Sequence, residues 1–332
     1  MPRIAELVTY PVKSCAGVSL DAVALTSTGL AFDRTFCVAN ARDGKFISQR
    51  SHPRLALVSC AIEPPTAYVD RSIRKFTLIC GSASMARELR VEVDLDDASG
   101  TTTTCECWEW RGRCADAGAD AASWFTEFLN QDDSGAGERY ELVRWIGKGG
   151  FPSAAQDDAD VDVDDDATRL TSMDYGSRRC TTTLSDGFPM LLVNKASVDA
   201  LDRIVKEESP ETTVDGRRFR GNVVVDDAKP WTEDSWSLVR LAGDIDAELC
   251  KPCSRCSIPA VDPDTGSMTS GAALVRVLSR LRSGAALGTA NRFWRASPFF
   301  GWNIICSAPQ NASKILRVGD DVSVLETRRA FP

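Results

Sequence analysis

Histidine is almost missing from this chain: among 332 residues there is one, His52. A Ser-His-Asp triad or a His-rich metal site therefore has almost no material to be built from. No run of about 20 apolar residues is present, so no segment reads as a membrane-spanning helix. The opening residues, Met1-Pro2-Arg3-Ile4-Ala5-Glu6, lack both the apolar core of a secretory signal and the basic amphipathic face of a presequence. These absences predict a cytoplasmic protein. A basic excess is lacking too, with 39 Lys and Arg against 47 Asp and Glu, a net charge of −8. That disfavours nucleic acid or an anionic membrane as the main partner, because both need a basic footprint. Neither a G-x-G-x-x-G loop nor a P-loop occurs, so nicotinamide or ATP binding by the common routes is unsupported.

What is present starts with β-type patterning. Short apolar runs at 4–12, 18–25, 35–39, 55–62 and 76–80 alternate with turn signals at Gly17, Gly29, Asp43-Gly44 and Pro64-Pro65. Strands so closely spaced predict an antiparallel barrel or sandwich in place of βαβ units. A helix follows, because Ala121, Trp124, Phe125, Phe128 and Leu129 recur at i, i+3, i+4, i+7 and i+8. Residues 151–168 are acidic and nearly devoid of large apolar groups, and they lack the Gly and Glu of an EF-hand; a solvated, flexible loop is the reading.

The second half begins with an apolar strand at 189–193. A helix follows with Val198, Leu201, Ile204 and Val205 on one side, then strands at 222–225 and 238–241 and a helix near 272–281. A hairpin-like piece turning at Gly319-Asp320 closes the chain. The length exceeds one comfortable core and suggests two domains. The expected architecture is mixed α+β but mostly β: a barrel-like domain over 1–150, the acidic loop at 151–168, and a second β-barrel domain with a few helices over 169–332.

Twelve cysteines is a high count, and nine of them are scattered along the chain, reading as free buried thiols. The other three form Cys250-Lys-Pro-Cys253-Ser-Arg-Cys256. An iron–sulfur motif of the C-x₂-C-x₂-C-x₃-C type needs a fourth Cys, followed by Pro, after three intervening residues; that position, 260, is Ala, so the match fails. A structural metal site, ordinary core thiols and a single functional cysteine all remain open from spacing alone. Arg255, set between two of the cysteines, would favour an ionised neighbour and so a better metal ligand or nucleophile at Cys256. Basic residues also stand beside turns: Lys13-Ser14 after Tyr10-Pro11-Val12, Arg34 after Asp33, and Arg220 before Gly221-Asn222. Arg binds phosphate with a planar fork and Lys with a point charge, so these groups could hold one phosphate if the fold brings them together.

Taken in order, these segments resemble the MOSC-domain family of molybdenum enzymes, in particular the amidoxime-reducing component and its bacterial relatives. The resemblance rests on Tyr-Pro-Val-Lys-Ser-Cys (10–15), Gly-Leu-Ala-Phe-Asp-Arg (29–34), Phe-Arg-Gly-Asn-Val-Val-Val (219–225), Glu-Asp-Ser-Trp (233–236) and Cys-Ser-Arg-Cys with Val-Asp-Pro-Asp-Thr-Gly (253–266). Phe-Gly-Trp (300–302) and Val-Gly-Asp-Asp-Val (318–322) resemble the family's ending. It implies a barrel-like N-terminal domain packed on a MOSC domain, with a molybdenum cofactor (a molybdopterin carrying Mo) between them. It makes Cys256 the catalytic metal ligand and puts Lys13, Ser14, Arg34, Arg220 and Asn222 around the pterin and its phosphate. Ser185, Asp186, Ser254 and Arg255 would flank the same site.

The implied activity is reduction of N-hydroxylated compounds, and of nitrite to nitric oxide by the same chemistry. Electrons would come from an external b-type cytochrome fed by an NADH-dependent flavoprotein reductase. Two alternatives remain: a carrier or sulfur-transfer module for the same cofactor, and a zinc-stabilised interaction protein. One departure stands out, because Gly187-Phe188 replaces the Thr-Ser of the family's Ser-Asp-Thr-Ser-Pro stretch, removing two hydroxyls.

Overall fold

The structure is a computed structural model that describes residues 1–97, 100–131, 137–147, 168–171, 175–176, 180–268, 271–306 and 314–332. The expected acidic loop, apart from Thr168, lies outside these residues. Strand makes up 38% of the chain against 19% helix, so the fold is mostly β as expected.

Two sheets belong wholly to the first half. One orders Phe36–Asn40, Tyr140–Trp145, Trp110–Asp116 and Thr102–Cys107; the other orders Ser59–Glu63, Lys75–Gly81 and Leu89–Asp94. Helix α1 (Ala119–Leu129) buries the five residues of its predicted apolar stripe against the strand Tyr140–Trp145. Trp124 stacks on Phe128 there, with centroids 5.7 Å apart. The predicted strand at 55–62 is instead a 3-10 turn, Pro53–Leu57, followed by the strand Ser59–Glu63. Pro53 pre-sets the φ of a helical first position, which overrides the apolar run.

The large sheet crosses the two halves of the sequence. Its order is Val322–Thr327, Trp236–Leu241, Ile245–Ser254, Phe299–Cys306, Met190–Asn194, Val223–Asp226, Arg3–Thr9 and Val18–Leu20. The parallel pairing in this sheet, Met190–Asn194 with Val223–Asp226, is bridged by helix α2 (Lys195–Glu208). The closing hairpin expected at Gly319-Asp320 is a corner: Ile315–Arg317 pairs with Ala22–Thr26, whereas Val322–Thr327 joins the large sheet. Gly319 takes φ 93°, which lets the chain change sheets. Likewise the predicted strand at 18–25 breaks at Asp21 into pieces that serve different sheets.

Cysteines scattered in sequence gather in space. Cys37, Cys105, Cys107 and Cys114 share one small core patch, with the Cys37 and Cys105 sulfurs 3.6 Å apart, and all twelve cysteines are free. His52 is a core histidine, its ring nitrogens 2.8 Å from the Tyr140 hydroxyl and 3.0 Å from that of Ser51.

Helix α2 and helix α3 (Ala272–Leu281) pack together on one face of the large sheet, over Leu191, Val193, Phe219 and Phe300. The Glu-Asp-Ser-Trp stretch locks this layer. Glu233 accepts hydrogen bonds from Ser197 Oγ (2.7 Å) and from Nδ2 of Asn194 (2.8 Å), the residue that caps α2. Asp234 accepts two from Arg282 (2.7 and 3.0 Å) and one from the indole of Trp302 (3.0 Å). Burial pushes the Glu233 carboxyl up to about 7, against the pull of the two hydrogen bonds it accepts.

A raised folded-state pKa means that this group's contribution to stability is complete at pH 4 and is lost as pH rises through 7. Over that interval the loss is on the order of 3 kcal/mol. Urea unfolding of wild type and Glu233→Gln between pH 4 and 8 is therefore expected to give curves that converge at low pH and separate toward pH 8, the variant becoming the more stable. Parallel curves would contradict a protonated, buried Glu233.

Candidate functional site

One cleft between the turns of the first half and the large sheet is lined by all ten residues picked out from the sequence. Lys13, Ser14 and Arg34 form one wall and Ser185 and Asp186 the next. Arg220 and Asn222 contribute a third, and Ser254, Arg255 and Cys256 a fourth. Lone basic residues in a chain of net charge −8 thus become a concentrated positive site. Three of the ten hold left-handed backbone that only glycine adopts freely: Ser14 (φ 71°), Arg34 (φ 45°) and Arg220 (φ 55°). Such strain, of order 1 kcal/mol or more per residue, clusters at functional sites.

Asn222 organises the floor. Its Nδ2 donates to Asp33 Oδ1 (2.9 Å) and to the Val8 carbonyl (3.1 Å). Its Oδ1 accepts from Arg34 Nη1 (3.0 Å) and from the Leu191 amide (3.1 Å). Every polar position of the amide is filled by protein, so Asn222 positions its neighbours. Arg34 also pairs with Asp33 (2.6 Å) and donates to the Arg220 carbonyl (3.2 Å). The Tyr10 ring packs against both guanidinium groups, 4.4 Å from that of Arg34 and 4.2 Å from that of Arg220. Arg220 Nη1 donates to the Cys15 carbonyl at 2.7 Å, while its Nη2 is buried without a hydrogen-bond partner among the described residues. Burial lowers the pKa of this guanidinium, and among the described residues no carboxylate forms an ion pair with it.

The segment carrying Arg220 is clamped by the Val-Asp-Pro-Asp-Thr-Gly turn. Asp262 Oδ1 accepts from the amides of Asp264 and Thr265 (both 3.0 Å), and its Oδ2 accepts from Arg218 (2.7 Å). Arg217 makes a two-pronged pair with Asp264, both bonds 2.8 Å. Gly266 closes the turn at φ 66°. Arg255 ties the same segment to the large sheet, donating to the carbonyls of Phe219 (3.0 Å) and Phe300 (2.7 and 2.9 Å). Its guanidinium is committed to these backbone carbonyls. Gly301 (φ 73°) makes room for this: a Cβ there would stand 2.8 Å from the Leu192 carbonyl and 3.4 Å from the Arg255 fork.

The three cysteines of the motif differ sharply. Cys250 Sγ lies 3.2 Å from the Asn303 carbonyl, and burial pushes its thiol up to about 12. Cys253 is half-buried, and burial raises its thiol against the opposing charge of Arg255. Of the twelve cysteines Cys256 alone is exposed, at the cleft.

On the opposite wall the buried Lys13 ammonium pairs with Asp186, whose carboxylate also accepts from the Trp108 indole at 3.2 Å. The Ser185 hydroxyl is engaged within its own turn, with Thr182 and the Phe188 carbonyl. Phe188 lines the cleft where the family pattern has a hydroxyl. Arg50, stacked on Trp108 at 4.4 Å, and Ser48 also line it, and sequence reasoning passed over both.

Among the described residues no group of three or more His, Cys, Asp or Glu is placed to hold a metal. A metal at Cys256 would take one protein thiolate and bring its remaining ligands with it. The orphaned Arg220 N–H and the cations beside it suit an anionic, phosphate-bearing carrier. These residues fit a molybdopterin.

Comparison with known proteins agrees in kind. Residues 1–132 match the MOSC N-terminal beta barrel domain and residues 180–323 match the MOSC domain. The human "Mitochondrial amidoxime-reducing component 1" is 28% identical over 97% of this chain and 82% of its own. The bovine "Mitochondrial amidoxime reducing component 2" is 28% identical over 96% of this chain and 82% of its own. The zebrafish (Danio rerio) "Molybdenum cofactor sulfurase" is 27% identical over 85% of this chain, but over only 30% of its own.

Proposed function

We propose that this chain, which belongs to the MOSC-domain family, is a molybdenum-cofactor-dependent reductase of N-hydroxylated compounds such as amidoximes and hydroxylamines. The observation that carries the proposal is the presence, in one cleft, of the exposed Cys256 thiol and the half-buried Arg220 guanidinium, whose Nη2 is buried without a partner among the described residues. The cofactor, when bound, supplies two-electron removal of oxygen: an N–OH substrate, two electrons and two protons give N–H and water.

The protein's part is binding and orientation. Cys256 supplies the thiolate ligand. Arg220 Nη2, Arg34 and Lys13 hold the phosphate and pterin, with Asp186 setting the Lys13 ammonium and the Tyr10 ring packed against both guanidinium groups. Asn222 and Arg255 act as positioning residues: the first sets Arg34, the second anchors the segment that ends in Arg220. Ser14 and Ser254 add polar lining, and Ser185 shapes its turn. Phe188 and Met190 offer an apolar wall that suits the carbon skeleton of the substrate. Electrons are supplied from outside, by a small b-type cytochrome and its NADH-dependent flavoprotein reductase.

The test is turnover of benzamidoxime to benzamidine with the full chain, molybdenum-loaded, in the presence of that electron chain. Product formation that requires all three proteins is expected. Stoichiometric molybdenum without product would favour a cofactor carrier, the role that the likeness to cofactor sulfurases suggests.

A further inference from the structure

A second cavity, of about 390 Å³, lies behind the cleft where the first half of the chain meets α2. That volume is in the range of small-molecule sites. Apart from Tyr10 and Arg220, which also serve the cleft, none of its lining residues holds the cofactor in the proposed function. Its walls are apolar: Val193, Val198, Val214 and Val261 are all at most 7% exposed, and Val8 and Val224 continue the same surface. Its inner wall carries Arg218 and Arg220, which line this cavity as well as the cleft; Arg218 is paired with Asp262 at 2.7 Å, so the net positive charge comes from Arg220. Arg218 is 4% exposed, and its Nε, like Arg220 Nη2, is buried without a hydrogen-bond partner among the described residues.

The mouth differs from the floor. Lys195 there pairs with Asp199 at 3.2 Å and Arg217 with Asp215 at 2.6 Å, and the Glu6 carboxylate stands exposed beside them. Net positive charge at the inner wall, apolar side walls and a mouth of mixed, largely paired charge describe a polarised container.

We infer that this cavity is a binding site for a small amphipathic anion, a carboxylate or phosphate head on an aliphatic body, held with its head toward Arg218 and Arg220 and its body on the valine walls. The apolar walls stabilise the body by burial, at roughly 25 cal/mol per Å² removed from water. The unpartnered Arg218 Nε–H gives the head a charge-assisted hydrogen bond in a buried setting, and the Arg220 guanidinium, whose Nη2 serves the cofactor in the proposed function, adds positive charge. The inference does not depend on the redox reading, since the valine walls lie outside the cleft.

Octanoate, octylammonium and inorganic phosphate, titrated calorimetrically into the full chain, test it. Octanoate is expected to bind with a stoichiometry of one and to raise the Tm, while the other two bind at least tenfold more weakly. Ser19→Trp, at an exposed position on the rim, is expected to weaken octanoate binding at least tenfold, and Lys195→Glu, at the mouth, to weaken it severalfold. Cys256→Ala is expected to leave it unchanged, which separates this cavity from the cleft. Absence of octanoate binding, equal binding of octylammonium or phosphate, or indifference to both rim variants while the fold is intact by circular dichroism would overturn the inference.

Discussion

Replacing Cys256 by Ala is expected to reduce benzamidoxime turnover by more than about 1000-fold while leaving the fold intact. Changing a group around a metal ligand typically costs 10- to 100-fold, and loss of the sole protein ligand exceeds that. The fold is spared because the Cys256 side chain is exposed and packs in no core cluster. Cys253→Ala is the informative partner. Its thiol is half-buried, and burial keeps it protonated, so its loss is expected to cost at most about tenfold, the lower end of effects around a ligand. Steady-state turnover of the two variants, normalised to molybdenum content, checks the contrast. Equal losses would move the ligand assignment off Cys256.

Asn222→Ala is expected to cause the largest loss of stability among single substitutions in the cleft. The amide serves Arg34, Asp33, the Leu191 N–H and the Val8 carbonyl, and the residue is 1% exposed. Truncation leaves these groups short of a partner where water enters poorly. Each orphaned buried polar group costs about 1–3 kcal/mol, and because the Asp33–Arg34 pair survives, the sum is expected near 3–5 kcal/mol. Arg34 loses its orientation at the same time, so cofactor content falls along with the urea midpoint. A loss below about 1 kcal/mol would show that the amide network is not what holds the cleft floor.

How much of this was legible beforehand depends on the kind of signal each residue carries. Helix α1 could be read because its five core residues follow the helical period in strict order. Assignment of strands to sheets could not, because the first strand and the segment at 315–317 find partners from the opposite half of the chain, and apolar alternation says nothing about partners. The site residues were visible as types beside turns, whereas their convergence came only with the resemblance and then with the fold.

The finer roles needed geometry. Asn222 and Ser185 have the polar groups of cofactor ligands, yet their partners are protein atoms. Arg255 sits between cysteines in sequence while its fork faces the carbonyls of Phe219 and Phe300. The Asp-Pro-Asp-Thr-Gly turn reads as a site motif, and its task here is to hold Arg217 and Arg218. Arg50 was missed because a stacking contact with Trp108 leaves no trace in local sequence.

The central claim is that the cleft binds a molybdenum cofactor through Cys256, and elemental analysis of the purified full chain, produced with molybdenum available, tests it most directly. The account predicts close to one molybdenum per chain, with a molybdopterin released in step on denaturation, and loss of that molybdenum in Cys256→Ala. Stoichiometric zinc without molybdenum in the wild-type chain would contradict it.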